Sequence, residues 1–266
     1  LSHLQHVPFR DLYCSHDPIL FLLGLIGFIE SVDYCELHCE GEPNVGCNPP
    51  PLSGGPQCFG LSARVVPITQ ALTSRILDRH NRHRSTLATG GLDPFPPARR
   101  MATLQWDAEL ASQAGHNVRS CIFEHDRCRD TEAFRWAGQN LAITRYFGQV
   151  TVESLIDRFI ASWWNEHQQT SPDDIESYPS RSSAVIGHFT QMASDRTWKV
   201  GCAMQNWIEG GLWNTYYFAC DYSFTNLIDE PVYVWGRTAS GCTTGENTVY
   251  PGLCSTNEVV ESVPYS

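Results

Sequence analysis

Apolar residues recur at helical spacing in three segments of the chain. The first segment covers about residues 68–84 and ends before the glycine and proline breaks at 90–97. In the second, "WDAELASQAGHN" (106–117), Asp107 can cap a helix that places Leu110, Ala111 and Ala114 inward. The third runs from Thr151 to about Glu166, and its apolar face consists of Val152, Leu155, Ile156, Phe159, Ile160 and Trp163.

Two later segments are rich in aromatic and branched residues and alternate in polarity, which predicts β-strands. They are "WKVGCAMQ" (198–205) and "TYYFACDY" (215–222), and they flank a turn at Gly210-Gly211. We therefore expect a hairpin in which Cys202 and Cys220 face each other. Because helices come first, strands follow and no β-α-β alternation is visible, the order of elements predicts an α+β layered domain.

One uninterrupted apolar run, Ile19 to Phe28, is typical of a secretory signal peptide. It is too short to cross a bilayer comfortably, and the small residue Ser31 follows it. We expect cleavage near residue 31 and interpret residues 1–31 as a signal peptide with an upstream extension. A buried core helix is the alternative interpretation. No other apolar run approaches the length of a membrane span.

The cysteine count supports secretion. The 266 residues include 11 cysteines, and cleavage near residue 31 would remove Cys14 and leave ten. An even set in a secreted chain implies up to five disulfides, although the spacing does not give their connectivity. Cys35 and Cys39 could instead belong to a zinc ribbon, but no matching second pair accompanies them.

The charge of the chain excludes some partners. The formal net charge is -11 and no block of lysine or arginine is present. We therefore expect no nucleic-acid or anionic-membrane partner, because either would require a basic surface.

His188 and Glu166 are the first candidates for chemistry. Histidine is readily recruited as a metal ligand or proton carrier. Eleven helical steps from Leu155 would place Glu166 on the buried face of its helix, where a carboxylate needs a donor, a cation or a metal. His125 and His116 are other possible partners. Alternatively, Glu166 lies at a frayed helix end and the histidines lie on the surface, since neither an H-E-x-x-H motif nor a G-x-S-x-G elbow occurs.

Several ordered motifs resemble a known family. "GHFTQMASDRTWKVGCA" (187–203) and "YYFACDYSFTN" (216–226) are similar to the two signatures of the CAP superfamily, which comprises cysteine-rich secretory proteins, antigen 5 and pathogenesis-related 1 proteins. "RHNRHR" (79–84), "WDAELASQA" (106–114), "GQNLA" (138–142) and "WWNEH" (163–167) occur in the family's order. "DYCELHC…GCN" (33–48), "TNLIDEPVYVWG" (225–236) and "CTTGENTVYPGLCS" (242–255) resemble the insect antigen 5 branch, the venom allergen 5-like proteins.

The resemblance implies a fold and a division of the chain. Residues 67–226 would form a disulfide-rich, three-layer α-β-α sandwich, preceded by a Cys-, Pro- and Gly-rich segment at 32–66. Residues 227–266 would form a carboxy-terminal extension with one disulfide. By analogy with antigen 5 proteins, the implied pairs are Cys35–Cys47, Cys39–Cys128, Cys58–Cys121 and Cys202–Cys220, which leaves Cys242 and Cys254 to each other.

The resemblance also implies a cleft. Many CAP proteins carry two histidines and two acids there, and the matching positions are His125, Gln139, Glu166 and His188. The histidines bind zinc or another divalent ion in the family, so we expect weak binding of Zn²⁺ or Cu²⁺, completed by water. Gln139 departs from the family's glutamate and leaves Glu166 as the only acid of the four. In the second signature, Asp221 replaces the more usual asparagine.

We expect a secreted, extracellular and non-enzymatic protein, most simply a monomer. It would bind a divalent metal or a small hydrophobic ligand and act through its surface on an unidentified extracellular target. One alternative is a metal- or histidine-dependent enzyme, a hydrolase or a copper redox protein, centred on His125 and His188. Another is a lipid or sterol carrier with a groove beside residues 151–166, where Phe159, Trp163 and Trp164 would line the pocket.

Overall fold

The computed structural model describes residues 32–37 and 39–264. The predicted signal peptide lies outside these residues. Among the described residues, no helix combines the length and apolar character needed to cross a bilayer.

The strands form one sheet around a central hairpin. They are β1 (Arg64–Val66), β2 (Gln105–Trp106), β3 (Gly138–Phe147), β4 (Lys199–Glu209) and β5 (Trp213–Tyr222), and the main order is β1-β4-β5-β3, with β2 also paired to β4. The predicted hairpin is confirmed, because β4 and β5 are antiparallel and Cys202 lies opposite Cys220. The edge strand β3 was not predicted. Its first four residues are all buried, so they lack the alternation that marks a strand with one face in solvent.

The three predicted helices are present. They are α1 (Gln70–Ala88), α2 (Ala108–Arg119) and α3 (Val152–Trp164), and their N-caps are Thr69, Asp107 and Thr151. A 3₁₀ segment, Asn165–Gln169, follows α3, and the short helices α4 (Pro172–Glu176) and α5 (Gly187–Ala193) come next. The helices α4 and α5 were not predicted, because five and seven residues are too few for a helical period to show.

Alternate residues of the hairpin contact different helical layers. On one side Met204, Phe218 and Tyr222 belong to the main core with α1, α3 and α5. On the other side Ala203 and Tyr217 pack with the apolar face of α2. The period of two in β4 and β5 thus builds a three-layer α-β-α sandwich, and the predicted fold class is confirmed.

The close approach of α2 to the sheet depends on a glycine. A Cβ at Gly201 would lie 2.0 Å from the backbone nitrogen of Ala111 and 2.5 Å from the carbonyl oxygen of Asp107. Leu110 is fully buried and Ala111 is partly buried. The backbone of Ala111 lies directly against the strand at Gly201.

Five disulfides link the described residues. Two of them, Cys39–Cys128 and Cys58–Cys121, tie the amino-terminal segment to the loop after α2. The others are Cys35–Cys47, Cys202–Cys220 and Cys242–Cys254. Because Cys35 and Cys39 belong to different disulfides, the zinc-ribbon alternative does not apply.

The aromatic residues of α3 belong to the core. The rings of Phe159 and Trp163 stack on Phe218 at 5.7 and 5.5 Å between centroids. The Trp163 indole also donates a hydrogen bond to the carbonyl of Leu141 at 3.0 Å. Trp164 stacks on His83 at 4.7 Å. Phe159 and Trp163 therefore fill the interior between α3 and the sheet, and Trp164 packs between α3 and α1.

A buried arginine joins α1 to the segment that follows α5. The Arg84 guanidinium is fully buried and donates four hydrogen bonds of 2.8–3.0 Å to backbone carbonyls. The acceptors belong to Ala102, Met192, Ser194 and Thr197. Burial lowers the pKa of Arg84 to about 10, so the side chain remains a cation at neutral pH.

Replacing Arg84 by lysine should destabilise the fold by about 3 kcal/mol, because one ammonium has three donors at a single point and cannot reach four separated carbonyls. The free energy of unfolding from urea titration tests this. Arg82→Lys is the matched control, since the Arg82 side chain is exposed and pairs with Asp78, also on the surface of α1. Equal stability of the two variants would contradict the role assigned to Arg84.

A buried histidine of α1 makes stability depend on pH. His80 donates from Nδ1 to the carbonyl of Ile76 at 2.8 Å, and its Nε2 accepts a hydrogen bond from the Tyr222 hydroxyl at 2.9 Å. Burial lowers the pKa of His80 to about 4. Partial burial also lowers the pKa of His83 and of His116 to about 4.

We expect the protein to lose stability as the pH falls from about 6.5 to about 4. Below 6.5 the unfolded chain takes up protons at these histidines, whereas the folded chain does so only near pH 4. Urea titrations across this range measure the slope. It should be shallower in His80→Gln, and an unchanged slope in that variant would show that His80 does not cause the loss.

Candidate functional site

A cleft of about 400 Å³ opens between the inner end of β3, the start of α5 and the loop after α2. Most of the residues that line it carry polar side chains. The lining residues are His125, Arg129, Gln139, Asn140, Tyr178, Val185, Gly187, His188, Gln191, Thr225 and Asn226. Three of the four cleft residues expected from the resemblance therefore line one cavity, and the fourth, Glu166, contacts His188 from behind.

Glu166 holds His188 and the beginning of α5. One carboxylate oxygen accepts from Nδ1 of His188 at 2.6 Å. The other accepts from the backbone N–H groups of His188 and Phe189 at 2.8 and 3.2 Å. Glu166 lies in the 3₁₀ segment rather than in α3, so the eleven-step helical argument was wrong although it selected the right residue. The frayed-end alternative is also wrong, because the carboxylate is largely buried and makes three hydrogen bonds.

Gln139 holds His125, and two acids orient Gln139. The amide nitrogen of Gln139 donates to Asp126 at 2.8 Å and to Asp221 at 2.9 Å. Its amide oxygen therefore faces Nδ1 of His125, at 2.8 Å, and the imidazole must be the donor. Burial lowers the pKa of His125, which favours the neutral ring.

The two histidines present the same ring nitrogen to the cleft. In both residues Nδ1 is committed to an acceptor, Glu166 for His188 and Gln139 for His125. No hydrogen bond joins Nε2 of either ring to another of the described residues. A hydrogen bond at one ring nitrogen fixes which nitrogen is left for a ligand. His125 and His188, which are far apart in the sequence, thus have the same hydrogen bonding at their rings.

Behind the cleft lies a group of acids that the sequence analysis did not identify as part of the site. Asp126 also accepts hydrogen bonds from Arg129 at 2.7 Å and Asn117 at 2.8 Å. Asp221 is fully buried, and burial together with the nearby Asp126 raises its pKa well above the usual value. The available signals were the position of Asp126 next to His125 and the departure from asparagine at position 221.

Asn140 connects the cleft to the core. Its side-chain amide donates to the carbonyl of His188 at 3.1 Å and to the Tyr222 hydroxyl at 3.3 Å, and Tyr222 contacts His80 in α1. His116, the other candidate partner of Glu166, is not part of the site. It contacts Ser112 and Arg119.

The donor set suits a borderline divalent ion. Two imidazole nitrogens are ligands that Zn²⁺ and Cu²⁺ accept, whereas Ca²⁺ and Mg²⁺ prefer oxygen. Within residues 32–37 and 39–264, no group of three or more His, Cys, Asp or Glu side chains is placed to hold a metal. Water would have to supply the remaining ligands.

Comparisons with known proteins agree with the fold and the motifs. The model of the cysteine-rich secretory protein family, CAP, matches residues 77–222. "Venom allergen-1" of Aedes albopictus is 44% identical over 93% of this chain and 98% of its own length. "Antigen 5 like allergen Cul n 1" of Culicoides nubeculosus is 36% identical over 70% of this chain and 89% of its own. A crystal structure of NaASP2 with Zn²⁺ superimposes with a TM-score of 0.59 at 24% identity, over 70% of this chain and 96% of that one.

Glu166→Gln should lower the free energy of unfolding by about 1–3 kcal/mol, because the amide offers one acceptor oxygen where the carboxylate serves three donors through two. Glu176→Gln, at an exposed position of α4, is the control for loss of the charge. Thermal melts of both variants measure the difference. A Glu166→Gln variant as stable as Glu176→Gln would mean that Glu166 does not hold α5.

Proposed function

Because the chain belongs to the cysteine-rich secretory protein (CAP) family and resembles its venom allergen members, we propose that it is a secreted, non-enzymatic protein that binds a divalent metal ion through His125 and His188. It acts through its disulfide-linked surface on an unidentified extracellular target, as a monomer. Zn²⁺ is the first candidate and Cu²⁺ the second.

The shared orientation of the two imidazoles carries the proposal. Each ring donates from Nδ1 to a fixed acceptor. Both rings line the same cleft, and Nε2 is the nitrogen that remains for a ligand. Metal-binding histidines have this arrangement, with the second nitrogen held by a carboxylate or carbonyl group. Binding is weak, because two protein ligands are fewer than the three or four of established zinc sites.

The hydrogen bonds of the nearby acids favour binding over catalysis. A general base needs a carboxylate that can reach the substrate. Glu166 already accepts three hydrogen bonds, and Asp126 and Asp221 lie behind the amide of Gln139. A bound metal would supply Lewis acidity, but these three carboxyl groups, the ones described near the histidines, are already engaged in hydrogen bonds.

The wall of the cleft favours an ion over a lipid. Val185 is the one aliphatic branched residue among the eleven lining residues, and nine of the eleven carry an amide, imidazole, hydroxyl or guanidinium group. A hydrated ion can hydrogen-bond to such groups, whereas a sterol or an acyl chain would desolvate them without compensation.

Native mass spectrometry of the secreted protein with one equivalent of Zn²⁺ tests the proposal. We expect one ion per chain at neutral pH, removed by a chelator and lost on acidification, since protonated imidazole cannot bind a metal. His125→Ala and His188→Ala should each weaken binding at least about tenfold. His116→Ala, which alters a histidine of α2 outside the cleft, should leave it unchanged.

Two results would contradict the proposal. If the two alanine variants bind Zn²⁺ as tightly as the unsubstituted protein, the ion does not use the cleft histidines. Hydrolase or copper-dependent redox activity that is lost in a folded His125→Ala, His188→Ala double variant would show that the protein is an enzyme.

A further inference from the structure

The two departures from the family signatures at positions 139 and 221 form one contact. Gln139 in β3 and Asp221 in β5 are cross-strand partners, and their side chains share a hydrogen bond of 2.9 Å. Gln139 is almost completely buried and Asp221 completely so. The pair therefore combines one amide donor with one carboxyl acceptor at the buried side of the cleft.

The pair needs a donor at position 139, because two carboxyl groups face that side chain. The nitrogen of Gln139 donates to Asp126 as well as to Asp221. A glutamate at 139 would place a third carboxyl group against these two and remove the donor that both of them use. Unpaired acids in a buried site are costly, so the residue allowed at 139 depends on the residue at 221.

We propose that the order of amide and acid at positions 139 and 221 sets the affinity of the cleft for cations. With the amide at 139, the group that contacts His125 is neutral, and the acid is Asp221 in β5. Reversing the order would put a carboxylate on Nδ1 of His125, equivalent to the contact that Glu166 makes with His188. The functional consequence rests on the proposed metal binding, whereas the coupling of the two positions does not.

A double-mutant cycle tests the coupling without any metal. Q139E should lower the melting temperature by about 5 °C or more, because it inserts an acid among acids. D221N should be tolerated, since its amide oxygen can accept from Gln139 as the carboxyl does. In Q139E/D221N the new amide can donate to the new carboxylate, and more than half of the loss should be recovered.

Q168E adds the same charge at an exposed position of the 3₁₀ segment and should leave the melting temperature nearly unchanged. If the effects of Q139E and D221N on the melting temperature simply add, the positions are independent and the proposal fails.

Zinc titration of the same variants tests the effect on affinity. Q139E/D221N has the same formal charge as the unsubstituted chain, so a change in affinity reports where the carboxylate lies. We expect at least about tenfold tighter binding of Zn²⁺, the size of effect that partners of metal-bound histidines have. Equal affinities would overturn the assigned effect. If no variant binds Zn²⁺, the metal proposal and this effect both fail, and the melting cycle alone decides whether the positions are coupled.

Discussion

The hydrogen bonds of the buried Arg84 guanidinium are the constraint on which the arrangement of the molecule depends. A cation in the interior is costly unless it is hydrogen-bonded, and the two terminal nitrogens of Arg84 donate to four carbonyls, one just before β2 and three within and after α5. Two of these carbonyls belong to the end of α5 and the residue after it. His188 is the second residue of α5, so the buried arginine fixes the helix that provides one of the two cleft histidines.

The cleft itself follows the same rule that buried polar groups must be paired. His188 lies in α5 and His125 in the loop after α2, and each ring is oriented by a hydrogen bond at Nδ1. A carboxylate holds one ring and a neutral amide holds the other, so the two halves of the site differ in charge although their geometry is alike. The acids that orient Gln139 lie out of the cleft. The carboxyl groups near His125 therefore bind the amide of Gln139 and do not face a ligand in the cleft.

The sequence predicted the parts of the fold that have long, regular patterns. The three long helices show an apolar face over 12 to 19 residues, and the β4–β5 hairpin shows two runs rich in aromatic and branched residues on either side of a Gly-Gly turn. The strand β3 and the helix α5 lack such patterns, since the first is buried on both faces at its inner end and the second has only two turns. Glu166 illustrates the limit most clearly. Helical periodicity pointed to the right residue, but the chain leaves the α-helix at Trp164, and a 3₁₀ turn directs the carboxylate to α5.

By itself the sequence determined the layered fold class, the family and the two histidines, because these depend on periodicity and on short ordered motifs. It also showed the departures at positions 139 and 221, but as two unrelated changes. Only the tertiary structure decided that they are one hydrogen-bonded pair, since 82 positions separate them and the antiparallel register of β3 and β5 brings them opposite each other. That register results from the packing of whole strands between two helical layers, and no local pattern encodes it.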